Sequence, residues 1–207
     1  MKKLILIAVV LSLTTSISAQ IRFGVKAGGN MSTLYTNEQA GGLNSDQYKF
    51  RFSYHFGAMM EYSLTDMFSL QPEIMYLNHG ANLKSDNSFM MKDGHITLNT
   101  LQLPINAKAK FNAGKSTKVF VYAGPYLAYH VYGKARGKID GASADKELFS
   151  KGSDMKRFDY GVGLGVGLEM NKFTLTLGNQ YGLYDISGSA KGRMKTGNLS
   201  LSAGYFF

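Results

Sequence analysis

The chain has 207 residues, enough for one domain or two small ones. It contains no cysteine, which excludes disulfides, thiolate metal sites, a catalytic cysteine and an acylated cysteine anchor. Only 18% of residues are charged, beside 24 glycines, 13 tyrosines and 13 phenylalanines, a composition that suits a β-rich protein; the formal charge of +9 leaves nucleic acid, an anionic membrane surface and acidic partners all open.

Met1-Lys2-Lys3, the apolar run Leu4–Leu13 and the small-residue exit Thr14–Ala19 read as a secretory signal peptide cleaved after Ala19. The apolar run is too short for a spanning helix, which needs ~20 residues. From Ile21 onward the dominant signal is a period of two, the mark of extended strands. Ile21–Leu34 sets Phe23, Val25 and Ala27 against Arg22, Gly24, Lys26 and Gly28. Tyr35–Lys49 is a polar loop. Phe50–Tyr62 sets Phe52, Tyr54, Phe56 and Ala58 against Arg51, His55 and Glu61.

After the short turn Ser63–Asp66, Phe68, Leu70, Ile74 and Tyr76 oppose Ser69, Gln71, Glu73 and Met75. Pro72 is awkward there, because proline removes a ladder donor. Asn82–Gly94 reads as a loop. Thr97–Phe111 resumes the alternation, with Leu101, Leu103 and Ile105 against Gln102, Asn106, Lys108 and Lys110, and with a second proline at Pro104. Asn112–Thr117 is a turn. Lys118–Tyr132 is apolar on both faces: Val119, Val121 and Leu127 beside Phe120, Tyr122 and Tyr126. Gly133–Ser153 reads as the longest loop.

Residues 157–169 carry the cleanest pattern: Phe158, Tyr160, Val162, Leu164, Val166 and Leu168 against Arg157, Asp159, four glycines and Glu169. Asn171-Lys172 is a tight turn. A strand over Phe173–Tyr181, a loop over Asp185–Lys195 and a last strand ending at Phe207 complete the chain. Eight strands joined by alternately long and short connections spell an all-β, eight-stranded antiparallel up-and-down transmembrane β-barrel over residues 20–207. Its short turns would be periplasmic, its long loops extracellular and both termini periplasmic. Aromatics near the strand ends suit interfacial belts: Tyr62, Phe68, Phe111, Phe173 and Phe207 at one rim, Phe52, Tyr76, Tyr129, Tyr160 and Tyr181 at the other. The competing architecture is a soluble lipocalin-type barrel with its apolar face inward. Alternating glycines fit a crowded lumen better than an outer surface. The chain also ends Leu-Ser-Ala-Gly-Tyr-Phe-Phe207, like the signal that outer-membrane barrels present to their insertion machinery.

Several segments resemble the PorT-like outer-membrane β-barrel proteins of the Bacteroidetes type: Phe23-Gly-Val-Lys-Ala-Gly-Gly-Asn-Met-Ser-Thr-Leu34, Ser69-Leu-Gln-Pro-Glu-Ile-Met-Tyr76, Leu101-Gln-Leu-Pro-Ile105, Tyr122-Ala-Gly-Pro-Tyr126, Arg157-Phe-Asp-Tyr-Gly-Val-Gly-Leu-Gly165 and Leu199-Ser-Leu-Ser-Ala-Gly-Tyr205. The resemblance spans nearly the whole mature chain and implies an integral outer-membrane location. It also implies that Pro72 and Pro104 are family features. The founding member is linked to type IX secretion and gliding, but the shared motifs are scaffold motifs.

Placed inward, Arg22, Lys26, Lys108, Lys110 and Arg157 would face Glu61, Glu73, Asp159 and Glu169 in a lumen just wide enough for side chains. Charges there must be paired or wetted, so they read as a plug of salt bridges, with a gated ion or proton path as the alternative. His55, His79, His95 and His130 show no metal-ligand spacing. His79 and His95, with Asp86 and Asp93, flank one loop and are the candidates for a rim enzyme acting on lipid or peptide. The glycines of residues 161–167 do not complete a dinucleotide fingerprint. Lys134, Arg136, Lys138, Lys191, Arg193 and Lys195 fall on the outer side, where lipopolysaccharide phosphates would meet them. The expectation is therefore a monomeric, non-enzymatic envelope protein without cofactor or metal, with a narrow passive channel and the rim enzyme as the alternatives. Its partners would be outer-membrane lipid and lipopolysaccharide, the insertion machinery through Phe207, and secretion or adhesion partners, but no nucleic acid.

Overall fold

The computed structural model describes residues 20–36, 48–83, 91–139, 142–149, 155–187 and 193–207. Residues 1–19, the expected signal peptide, lie outside them. The chain forms eight long strands: β1 (Ile21–Thr36), β2 (Arg51–Ser63), β3 (Phe68–Leu83), β4 (Met91–Asn112), β5 (Thr117–Ile139), β6 (Phe158–Met170), β7 (Phe173–Gly182) and β8 (Met194–Phe206). Each runs antiparallel to its neighbour in sequence, and β1 pairs with β8 around Ala27↔Ala203, so the sheet closes. Two short strands attach to this ring: Tyr48–Lys49 on the end of β3, and Ala142–Glu147 on the end of β5.

Closure makes one end of the barrel the turn end. It holds three short turns and both strand termini, tied by Phe206 N–H to Lys172 O (2.8 Å) and Phe207 N–H to Phe23 O (2.9 Å). Asn171 adopts φ 54° in the tightest of these turns, a left-handed conformation that Asn tolerates. All long connections leave from the opposite loop end.

Alternation places the bulky residues outside. Phe52 is 77% exposed and Leu164 61%, while the intervening positions of β6 and β7 are mostly buried. Apolar side chains ring the barrel on its outer face, so the lipocalin arrangement is excluded; the natural solvent for such a surface is hydrocarbon.

The apolar double face of β5 has a local cause. Phe120, Tyr122 and Tyr126 point inward and stand directly opposite Gly167, Gly165 and Gly161 of β6. A Cβ on Gly167 would lie 2.3 Å from the Phe120 ring, and one on Gly165 would lie 2.6 Å from Tyr122. The glycines are the sockets for one column of aromatic rings, a pairing that restores packing where glycine alone would leave a gap.

Pro72 and Pro104 sit at gaps in the pairing, with the register unchanged on either side. The β2–β3 ladder skips between Met59↔Glu73 and Tyr62↔Leu70, across Pro72. The β3–β4 ladder skips between Pro72↔Ile105 and Met75↔Gln102, across Pro104. Neither residue can donate to its neighbour, and the ladder resumes beyond.

Two expectations are corrected. Asn82–Gly94 and Gly133–Ser153 are not simply loops, because β4 begins at Met91 and β5 continues to Ile139 before folding back through Ala142–Glu147. The alternation was hidden by a register shift between Asn99↔Tyr132 and Thr100↔His130, which leaves Val131 as an extra residue and inverts the phase of the residues beyond it. The inner face is also not polar throughout: at the loop end Leu34, Ala81, Ile96, Leu98, Leu148 and Ile186 form a buried apolar cluster.

Candidate functional site: a lumen filled in layers

At the turn end the lumen is filled by charge. Glu61 of β2 is fully buried and accepts hydrogen bonds from Arg22 (2.8 Å), Lys108 (2.8 Å) and Lys110. Arg22 forks onto Glu169 of β6 at 2.8 and 3.0 Å, and Lys110 reaches the same carboxylate at 3.4 Å. Arg22 and Glu61 are neighbours in the β1–β2 register, whereas Glu169 lies four strands round the barrel from β2. The ion pairs are thus spokes across the lumen, joining β1, β2, β4 and β6. Aromatic rings floor them: Arg22 sits 4.1 Å from the Phe206 centroid and Lys108 4.1 Å from that of Phe120. Lys26 pairs with Glu73, which also accepts from Gln71 and from Asn106 (3.3 Å); Gln71 in turn accepts from Lys108 (2.8 Å). One network therefore holds Arg22, Lys26, Lys108 and Lys110 with Glu61, Glu73 and Glu169.

Two of the nine expected plug charges stand apart. Arg157 does not enter the network. Its guanidinium donates to the carbonyls of Val131 (2.9 Å), Phe149 (2.9 Å) and His130 (3.3 Å), and its Cζ lies 4.9 Å from the Phe149 centroid. The β5–β6 ladder ends at Tyr129↔Phe158, and just beyond it the Arg157 fork of N–H donors takes up the carbonyls of His130 and Val131. Asp159 faces the lumen but meets no cation among the described residues; it accepts from the Thr196 hydroxyl at 2.8 Å.

Midway, His55 bonds Asn30 Oδ1 through Nδ1 (2.7 Å) and Ser202 Oγ through Nε2 (2.8 Å). An amide oxygen only accepts, so Nδ1 carries the proton and Nε2 accepts from the serine. Gln180 donates to Gln102 (3.2 Å) and accepts from Asn198 (3.3 Å), spanning the lumen. Above this, Thr100 stands between His79 and His130 at 2.7 Å from each. Its hydroxyl has one proton, so at most one of the two imidazoles accepts from it.

The loop end is shut. Ser32 Oγ donates to Gly80 O and accepts from Gly80 N–H, both at 2.9 Å, joining β1 to β3 over the end of β2. Gly80 has φ +151°, and a Cβ there would lie 2.0 Å from Ile96 O. Arg51 donates to Ile96 O (2.8 Å) and to the Thr97 hydroxyl. The apolar cluster lies at this end, with Phe149, Met155, Tyr184 and Met194 packed on it. Between the charged and apolar layers, the described residues line two small pockets of about 30 and 10 Å³.

The rim pair is not assembled. His79 is buried in the lumen, while His95 lies on the opposite face of β4's alternation. Asp86 lies outside the described residues. Of the loop bases, Lys134 and Arg136 stand across from Glu147 and Asp145 in the outer hairpin, and Lys138 stands across from Ser143. Lys195 lies 5.5 Å from the Tyr181 ring, Arg193 immediately precedes β8, and Lys191 lies outside the described residues.

No curated protein matches this chain. Among solved structures, it is similar to Neisserial surface protein A (15% identity, TM-score 0.50), with 89% of this chain and 97% of that one covered. It is equally similar to the outer membrane protein OprG from Pseudomonas aeruginosa (15% identity, TM-score 0.51), with 90% and 95% covered. These likenesses are of fold. The profile of a family described as outer membrane protein beta-barrel domain matches residues 15–188. A closed meander with an apolar exterior and a match over most of its length make this chain a member of the outer membrane protein beta-barrel domain family.

Proposed function

We propose that this protein is a non-enzymatic outer-membrane barrel whose lumen is a structural plug and whose work is done at its loop end, as an accessory of the envelope in secretion or adhesion. The observation that carries this reading is the filling of the lumen: a cross-lumen ion-pair network at one end, an apolar cluster at the other, and small pockets of about 30 and 10 Å³ between them among the described residues. Thr100, whose hydroxyl stands between two imidazoles, is buried below the apolar cluster, which speaks against a rim enzyme.

In this reading residues 1–19 are removed on export and both termini face the periplasm. Phe207, largely exposed at the turn end, addresses the insertion machinery, and the monomer sits in lipid. The extended β4–β5 hairpin stands outside the membrane. Lys134, Arg136, Lys138, Lys191, Arg193 and Lys195 border lipopolysaccharide phosphates, which suit Lys and Arg donors. Membership of the PorT-like group, with a secretion role, rests on the shared strand motifs.

The test compares binding of lipopolysaccharide aggregates by the native barrel and by a variant with these six bases changed to glutamine. The native barrel should bind in a salt-dependent manner and the variant at least tenfold more weakly. Equal binding would remove the lipopolysaccharide reading. For the secretion role, deletion should trap exported cargo in the periplasm, and normal secretion in the deletion strain would remove it.

A further inference from the structure

Asp159 is the one lumen carboxylate that no cation answers among the described residues. It is 2% exposed, and the Thr196 hydroxyl bonds its Oδ2, while Oδ1 has no partner. Asn198 on β8 is equally enclosed. Its amide nitrogen donates to Gln180, and its Oδ1 also has no partner. Both residues line the 10 Å³ cavity, together with Tyr126, Thr196 and Gln180. The two residues that carry these orphaned acceptors, one of them a carboxylate oxygen, therefore line one small space. Leaving them unanswered is costly, and a carboxylate more so than an amide.

The nearby cations are committed elsewhere. Arg22, Lys26, Lys108 and Lys110 are paired in the turn-end network. Arg157, two residues before Asp159, is held by the carbonyls of the bulge and of Phe149. A glycine also keeps the space beside the carboxylate open: a Cβ on Gly182 would lie 3.3 Å from Asp159 Oδ1 and 2.4 Å from Thr196 Oγ1.

We infer that this cavity is a binding site for one small monovalent cation of sodium size, held by Asp159 Oδ1 and Asn198 Oδ1 with hydroxyl oxygens of Thr196 and Tyr126 beside them. Hard oxygen donors favour a hard cation. A single carboxylate matches a single positive charge. Calcium has nearly the radius of sodium, so charge and not space separates them: a divalent ion would keep an unbalanced positive charge beside this one carboxylate, in a lumen where charges must be paired. The occupant would neutralise the loop half of the lumen locally, as the lysines and Arg22 do in the turn half. This site is independent of what the loop-end hairpin binds.

The test is thermal unfolding of the folded, detergent-solubilised barrel at constant ionic strength, with sodium chloride replaced stepwise by choline chloride. A cation that binds only the folded state raises the midpoint logarithmically, by about 3–6 °C for each tenfold rise in sodium beyond half-saturation. Asp159→Asn should abolish the sodium dependence, and Asn198→Ala should raise the half-saturating concentration about tenfold. Potassium, being larger, should act only at higher concentration. Equal midpoints in sodium and choline would overturn the site, since a bound water alone gives that result. So would an undiminished sodium response in Asp159→Asn. Sodium-23 relaxation on the native barrel decides the matter even if that variant does not fold: absence of a saturable, immobilised sodium population overturns the inference.

Discussion

The turn half and the loop half of the lumen are filled by opposite chemistry. In the turn half, seven charged side chains from β1, β2, β3, β4 and β6 interlock across the barrel, with Glu61 at their centre. In the loop half, apolar residues from β1, β3, β4 and the outer connections pack as a small soluble core would. Each solution suits its place. Where the wall is lipid-facing and the backbone pairs all round, buried charges fix which strands face each other across the lumen. Where β4 and β5 run on past their neighbours, strands and connections converge and can bury their apolar residues on one another.

The difference has measurable consequences, and the largest lies at Glu61. Glu61→Ala leaves Arg22, Lys108 and Lys110 buried around a missing carboxylate, and should destabilise the whole barrel by about 3–5 kcal/mol in urea unfolding. A loss below about 1 kcal/mol would mean that the plug is wetted and contributes little.

Leu98→Ala should cost about 2–4 kcal/mol, but locally. Hydrogen exchange should rise in residues 132–139 and 142–148 while the strand centres stay protected. Uniform loss of protection would show that the two halves are one cooperative unit. Gly167→Ala drives a methyl into the Phe120 ring and should cost about 1–3 kcal/mol. Combining it with Phe120→Leu should recover part of the loss, and strict additivity would refute the socket. The smallest expected effect is Ser32→Ala, about 1 kcal/mol, because one hydroxyl both donates to and accepts from Gly80. Its readout is faster exchange at the Gly80 amide.

The strands themselves were legible because alternation needs no tertiary knowledge: Phe158 to Leu168 declares a strand and its faces. The four glycines signalled a crowded lumen, yet their occupants could be named only from the β5–β6 register that sets Phe120 opposite Gly167. The plug's members were legible by type, whereas its pairs were not. Arg22 and Glu169 are 147 residues apart and meet only because the sheet closes. The apolar cluster was invisible because Ile96 and Leu98 occupy the phase that carries polar residues further along β4. The partners of Arg157 were illegible for a related reason: nothing in the sequence shows that its guanidinium meets the carbonyls of His130, Val131 and Phe149.

The central claim is that the lumen is closed from both ends, and single-channel recording in planar lipid bilayers tests it most directly. The native barrel should insert without producing step conductance across a wide range of voltage and salt. Stable, reproducible conductance steps from native protein would contradict the account.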